Sequence, residues 1–139
     1  AQLHSDGTNL WAGGPLFMER MVEGGKAITT HFKGHMAYIN VLRRMSVDCD
    51  CAGTGAAEPT APDIGILAGR DIVAVEQATL DLINREELIP KSLPEGWDLL
   101  EDRSLHLFER IHHKDPYAVV RYLEELGCGP ADYALEEIE

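Results

Sequence analysis

The chain has 139 residues, 45% of them hydrophobic and 26% charged, which are the size and composition of one globular domain with a core of its own. Its formal net charge of −12 argues against binding to nucleic acid or to an anionic membrane surface, because phosphate groups would be repelled. The sequence has no run of about 18 apolar residues, so no membrane span is predicted. Three cysteines, an odd number, are not typical of a secreted disulfide framework, and we expect a reducing cytoplasm.

The N-terminal part predicts an irregular lead-in followed by a helix. Residues 1–14 have few apolar anchors, and Pro15 suits the first turn of a helix over residues 16–32. An apolar face at helical spacing is expected to be buried, and it comprises Phe17, Met21, Ile28 and Phe32. Gly24 and Gly25 lie in the middle, and they predict either a break in the helix or the close approach of another backbone.

Two strands and a second helix are expected next. Residues 36–42 are apolar on both faces, as in a covered sheet, and residues 64–68 form a second short strand. The hydrophobic period then becomes helical, with Asp71 as the N-cap. On this helix Asp81 lies away from the apolar stripe and is expected to face solvent.

The C-terminal half predicts two shorter helices. Leu105, Phe108 and Ile111 mark the first, and Asp115-Pro116 begins the second, which Gly127 ends. Residues 133–138 are expected to form a last edge strand. We therefore predict one α/β domain over residues 15–139, with a small mixed sheet of a few strands covered by about four helices.

The strongest candidate site follows the first strand, in Asp48-Cys49-Asp50-Cys51. In an extended backbone both thiols would point one way and both carboxylates the other. Two thiolates at this spacing can hold one soft metal ion, and Asp63, which follows a proline at the next strand entry, is the best further carboxylate. The predicted metal ligands are therefore Cys49, Cys51, Asp48, Asp50 and Asp63.

The site is incomplete as the sequence presents it. An iron–sulfur cluster needs four thiolates as a rule, and the third cysteine of the chain is Cys128. His31 and His35 are other candidate ligands, although a solvent-exposed helix end explains them more simply. A simpler interpretation of the motif is a tight turn in which the cysteines pack and the aspartates accept from backbone N–H groups.

Several stretches together resemble a known family. They are Tyr38–Leu42, Asp48–Cys51, Pro62–Ala68, Asp71–Ala78 and Tyr122–Gly127. The chain is similar to the C-terminal part of a prokaryotic domain-of-unknown-function family of iron–sulfur-centre proteins associated with ferredoxin-type domains. The resemblance implies an iron–sulfur cluster or a single Fe or Zn ion, and a redox setting without a settled reaction.

We therefore expect a metal- or iron–sulfur-associated domain of a redox or electron-transfer protein. Its partners would be the remainder of a larger parent protein or a redox partner, and it could form a homo-oligomer. One alternative is a small-molecule enzyme domain that uses Cys49 or Cys51 as nucleophile and Asp63 as base. Another is a structural docking domain that contacts its partner around Trp11 and Trp97.

Overall fold

Over the residues that the structure describes, the fold consists of four helices and a two-stranded sheet. The computed structural model describes residues 14–48 and 50–138, with the side chains of residues 14–48 and 53–138. The elements in chain order are α1 (Pro15–His31), β1 (Tyr38–Leu42), β2 (Gly65–Gly69), α2 (Ile72–Ile83), α3 (Leu107–His112) and α4 (Tyr117–Glu125). The predicted α/β class with about four helices is confirmed, whereas nearly all of the expected lead-in lies outside the described residues.

The sheet is an antiparallel pair of strands. Tyr38 pairs with Gly69 at one end and Leu42 pairs with Gly65 at the other. In the described part of the chain this pair is the whole sheet, and residues 133–138 form no third strand. Tyr133, at the start of that segment, donates its hydroxyl to Asp81 on α2.

One face of the sheet is covered and the other is open. Leu42 and Leu67 are buried, and both strands pack against α2. The opposite face, by the two-residue period of a strand, presents Ile39, Val41 and Ile66, each about 60% exposed (64%, 59% and 66%). The expectation of a sheet covered on both faces is therefore wrong for the residues described.

Helix α2 lies at the centre of the molecule. Asp71 caps it as predicted, since its carboxylate accepts from the backbone N–H groups of Val73 and Ala74 at 2.9 and 3.1 Å. The helix contacts both strands and α4, so it is buried on more than one side. Its buried residues are Val73, Val75, Ala78, Thr79, Leu80 and Ile83.

Helix α1 runs unbroken through its glycine pair. It packs against α4 and buries Val22, whereas Met21, Ile28 and Phe32 are about half exposed (48%, 54% and 49%). The predicted buried face is therefore wrong, because α4 covers a different side of the helix. Nothing lies within 4 Å of where side chains of Gly24 and Gly25 would stand, so these glycines mark neither a break nor a close packing contact.

Helix α4 packs on α1 and α2, and α3 joins the core of α2 through Leu107 and Ile111. Asp115 accepts from the N–H of Tyr117 at the start of α4, and Gly127, at φ +72°, ends that helix with a hydrogen bond to the Glu124 carbonyl. Both termini agree with the sequence prediction. Trp97 donates its indole N–H to the Ile111 carbonyl at 3.0 Å, so this ring is held against α3.

Candidate functional site

The predicted carboxylate Asp63 lies just before β2 and hydrogen-bonds to the two residues that follow β1, so it joins the two ends of the connection between the strands. One oxygen accepts from the backbone N–H of Arg44 at 2.7 Å, and the other accepts from the Arg43 guanidinium at 3.3 Å. The Arg44 hydrogen bond and then the Arg43 contact lower the pKa of Asp63. An ionised carboxylate with a depressed pKa is a weak general base, so this geometry suits a structural clamp better than proton abstraction.

The second described carboxylate, Asp48, closes the base of the loop that contains the cysteine motif. Its side chain accepts from the backbone N–H of Ala57 at 2.7 Å, while its own N–H donates to the Ser46 hydroxyl at 3.1 Å. Outside this contact, Thr60 donates from its backbone N–H to the Met45 carbonyl at 2.8 Å. The segment between Asp48 and Ala57 is thus a short loop whose two ends are joined by the hydrogen bond from Ala57 to Asp48.

The cysteine motif itself is described only in part. Cys49 lies outside the described residues, as do the side chains of Asp50 and Cys51. From residue 50 the backbone forms a short 3-10 segment, Asp50–Gly55, with a kink at Gly53. The extended backbone assumed for the motif is therefore absent at residues 50 and 51, and the alternation of thiols and carboxylates stays a prediction.

The other candidate ligands lie apart from this loop. His31 is exposed at the end of α1 and stacks edge-on against Phe32, and His35 is exposed in the turn before β1. Cys128 is a half-buried free thiol just after α4. Among the side chains that the structure describes, no three His, Cys, Asp or Glu residues gather in a group that could hold a metal ion.

A cluster around Asp81 was not predicted from the sequence. Its carboxylate accepts from the hydroxyls of Tyr117 and Tyr133 at 2.7 and 2.9 Å, and from the Gln77 side-chain amide at 2.8 Å. Asp81 is half-buried, and the expectation that it faces solvent unpartnered is wrong. Gln77 lies one helical turn away, but the two tyrosines lie 36 and 52 residues further along the chain, beyond the reach of a local pattern.

The tyrosines in this cluster hold their protons firmly. Burial, followed by the hydrogen bond to the Asp81 carboxylate, raises the pKa of both Tyr117 and Tyr133. The ring of Tyr117 also packs edge-on against His106, at 5.1 Å between ring centroids. His106 is buried, with one ring nitrogen accepting from the Phe108 N–H at 3.0 Å and the other 2.9 Å from the Leu80 carbonyl. We assign this cluster to tertiary packing, because it joins α2, α3, α4 and the C-terminal segment.

Comparison with known proteins identifies one family. The family model described as "Domain of unknown function (DUF362)" matches residues 1–81, which contain α1, the sheet, the cysteine motif and most of α2. No curated protein and no solved structure matches the chain. Within the described residues, no helix has the length and apolar content needed to cross a membrane.

Proposed function

The chain belongs to the DUF362 family of domains of unknown function, and we propose that its loop between β1 and β2 is a metal site of a redox or electron-transfer protein. The observation that carries this proposal is the Cys49-Asp50-Cys51 spacing within a loop that Asp48 ties at its base. Two thiols two residues apart can bind the same soft metal ion. A loop with fixed ends loses less conformational entropy when it binds an ion, which supports the assignment.

The donor set limits the kind of metal centre. A cluster bound only by this chain does not fit, since four thiolates are needed as a rule and the chain has three. Cys128 adjoins residues at the end of the sheet where Tyr38 begins β1, whereas the cysteine loop leaves from Leu42 at the other end. These two ends are about 13 Å apart by the strand rise. We therefore propose one Fe or Zn ion held by Cys49 and Cys51, or a cluster whose other ligands come from a partner.

The aspartates have different roles in this proposal. Asp48 and Asp63 position the loop through their backbone hydrogen bonds, and Asp50 is the carboxylate that would bind the metal ion as a further ligand or accept from N–H groups around it. Bound iron would supply electron-transfer chemistry, and bound zinc would stabilise the loop. A positive ion would also favour the thiolate form of the cysteines, which the neighbouring carboxylates disfavour.

The test is a metal analysis of the whole chain purified without exposure to air. For a single ion we expect about one Fe or Zn per chain or per pair of chains, and for a cluster shared between two copies we expect about two or four Fe per pair. In each case the metal should be lost from the variant Cys49→Ser/Cys51→Ser. The visible absorbance spectrum distinguishes iron thiolate from colourless zinc. The matched control is Cys128→Ser, which removes a thiol of similar chemistry from the opposite end of the sheet and should leave the metal content unchanged.

Two outcomes would contradict the proposal. Equal metal content in the double variant and the unmodified chain would show that the two thiols are not ligands. Metal loss from Cys128→Ser as large as that from the double variant would show that binding depends on thiol number rather than on the loop.

A further inference from the structure

A small cleft at the other end of the sheet concentrates positive charge. It has a volume of about 230 Å³ and lies between the end of α1, the turn from β2 to α2, and the residues after α4. Lys26, Lys33 and Arg70 line it. These are three of the chain's 12 basic residues, whereas Asp71 is the one acidic residue among the described residues that line the cleft. The cleft is thus basic in a chain of net charge −12.

All three basic side chains keep hydrogen-bond donors for a ligand, and two of them have no described partner. Among the side chains that the structure describes, neither Lys33 nor Arg70 has a hydrogen-bond or ion-pair partner. Lys26 donates to the Leu126 carbonyl at 2.5 Å, and an ammonium group keeps two further N–H donors after this bond. The Leu126 bond holds the Lys26 ammonium beside the cleft and lowers the entropy cost of using it.

The one carboxylate at the cleft is already occupied. Asp71 accepts from the N–H groups of Val73 and Ala74, so its charge is compensated by the first turn of α2. A methyl group placed on Gly129 would overlap this carboxylate, so the chain after α4 lies directly against Asp71 in its capping position. Because that cap satisfies the helix N-terminus, the binding capacity of the cleft comes from the three basic side chains.

We propose that this cleft binds a small oxyanion with two or more negative charges, from the phosphate or carboxylate class. Its volume corresponds to about eight water molecules, and it is smaller than the pockets of about 300–1,000 Å³ that accept drug-sized ligands. Arginine recognises phosphate and carboxylate oxygens through two parallel hydrogen bonds, and lysine neutralises the remaining charge. The site is independent of the proposed metal loop, which lies at the opposite end of the sheet.

The test is isothermal titration calorimetry with the whole chain, in a buffer free of phosphate and carboxylate. Inorganic pyrophosphate and citrate are the two probes, and the probe that binds with higher affinity identifies the ligand class as phosphate or carboxylate. We expect saturable binding of one probe molecule per chain, which weakens about five- to tenfold in Lys33→Gln and in Arg70→Gln. Both side chains lack described partners, so these variants are expected to fold normally.

A charge-matched control separates a site from general electrostatics. Lys114→Gln removes the same charge after α3, outside the cleft, and should change affinity by less than twofold. A thiol readout adds a second measurement, because Cys128 lines the cleft. In a Cys49→Ser/Cys51→Ser chain, the bound probe should slow alkylation of Cys128 severalfold.

The proposal is overturned if neither probe gives saturable binding. It is also overturned if Lys114→Gln weakens binding as much as Arg70→Gln does, or if a saturating probe leaves the alkylation rate of Cys128 unchanged. The titration is repeated on the Cys49→Ser/Cys51→Ser chain, which lacks the thiols of the proposed metal loop. Binding of the probe and binding of the metal are then measured separately, so the failure of one proposal leaves the other standing.

Discussion

Removal of the Asp81 carboxylate is expected to destabilise the fold more than any other single change of a described surface-accessible carboxylate. Asp81 accepts three hydrogen bonds, from Gln77, Tyr117 and Tyr133, and the donors come from α2, α4 and the C-terminal segment. A hydrogen bond to a charged group contributes about 1.5–3 kcal/mol, and the half-buried position favours the lower end for each tyrosine, whereas the Gln77 pair within one helix adds only about 0.2–0.5 kcal/mol. We therefore expect Asp81→Ala to lower the free energy of unfolding by about 3 kcal/mol.

The single tyrosine variants divide this loss. Tyr133→Phe removes one hydroxyl and leaves the ring, so it should cost about 1.5 kcal/mol, and Tyr117→Phe should cost about the same or slightly more. Because these hydroxyls interact with Asp81, the losses in the double variant Asp81→Ala/Tyr133→Phe should not add, and the coupling should be about 1 kcal/mol.

Equilibrium unfolding in urea, followed by circular dichroism, measures these differences. The control is Tyr38→Phe, whose hydroxyl contacts only the Met36 sulfur, at 3.7 Å, among the described residues, and which should change stability by less than about 0.5 kcal/mol. Losses in Asp81→Ala and Tyr133→Phe that add fully would refute the coupling. A loss below about 1 kcal/mol for Asp81→Ala would refute the stabilising role itself.

Two further predictions concern α1 and the alkaline limit of stability. Gly24→Ala and Gly25→Ala should each raise the free energy of unfolding by up to about 1 kcal/mol, because the added methyl meets nothing within 4 Å and alanine is the better helix former; a loss of stability in either urea titration would contradict this. Tyr117 has a raised pKa, so its folded state keeps a proton that the unfolded chain releases above about pH 10. The contribution of Tyr117 to the free energy of unfolding should therefore be complete below about pH 10 and decrease as the pH rises further. Tyr117→Phe should make this decrease less steep, and an equal slope in the variant and the unmodified chain would contradict the prediction.

The helices were predictable where a local rule sets their ends. Pro15, Asp71, Asp115 and Gly127 each act within one turn of the chain, and α1, α2 and α4 begin or end beside them as expected. The buried side of α1 was not predictable in the same way. Its sequence offers apolar residues on several sides, and only the contact with α4 selects Val22.

The candidate sites likewise differ in whether a local sequence pattern marks them. The cysteine motif is contiguous, so spacing alone was enough to nominate it, and the metal ligation it predicts stays a prediction. Asp63 was expected near the cysteines for its chemistry, but the structure shows it hydrogen-bonded to Arg43 and Arg44. The clustering of Lys26, Lys33 and Arg70 could not be predicted, because isolated basic residues in an acidic chain show no local pattern.

The sequence by itself determined the α/β class, the order of the four helices and two strands that the structure describes, and the loop that contains paired thiols and carboxylates, whereas the expected last strand is absent from the described residues. These depend on short-range physics, since periodicity, capping and turn chemistry act over a few residues. The tertiary structure decided which faces are buried, which carboxylate joins three elements at Asp81, and where positive charge gathers. These features depend on contacts between residues that are distant in the chain, and they arise only when the helices pack. The hydrogen bond from Lys26 to the Leu126 carbonyl, for example, joins residues 100 positions apart.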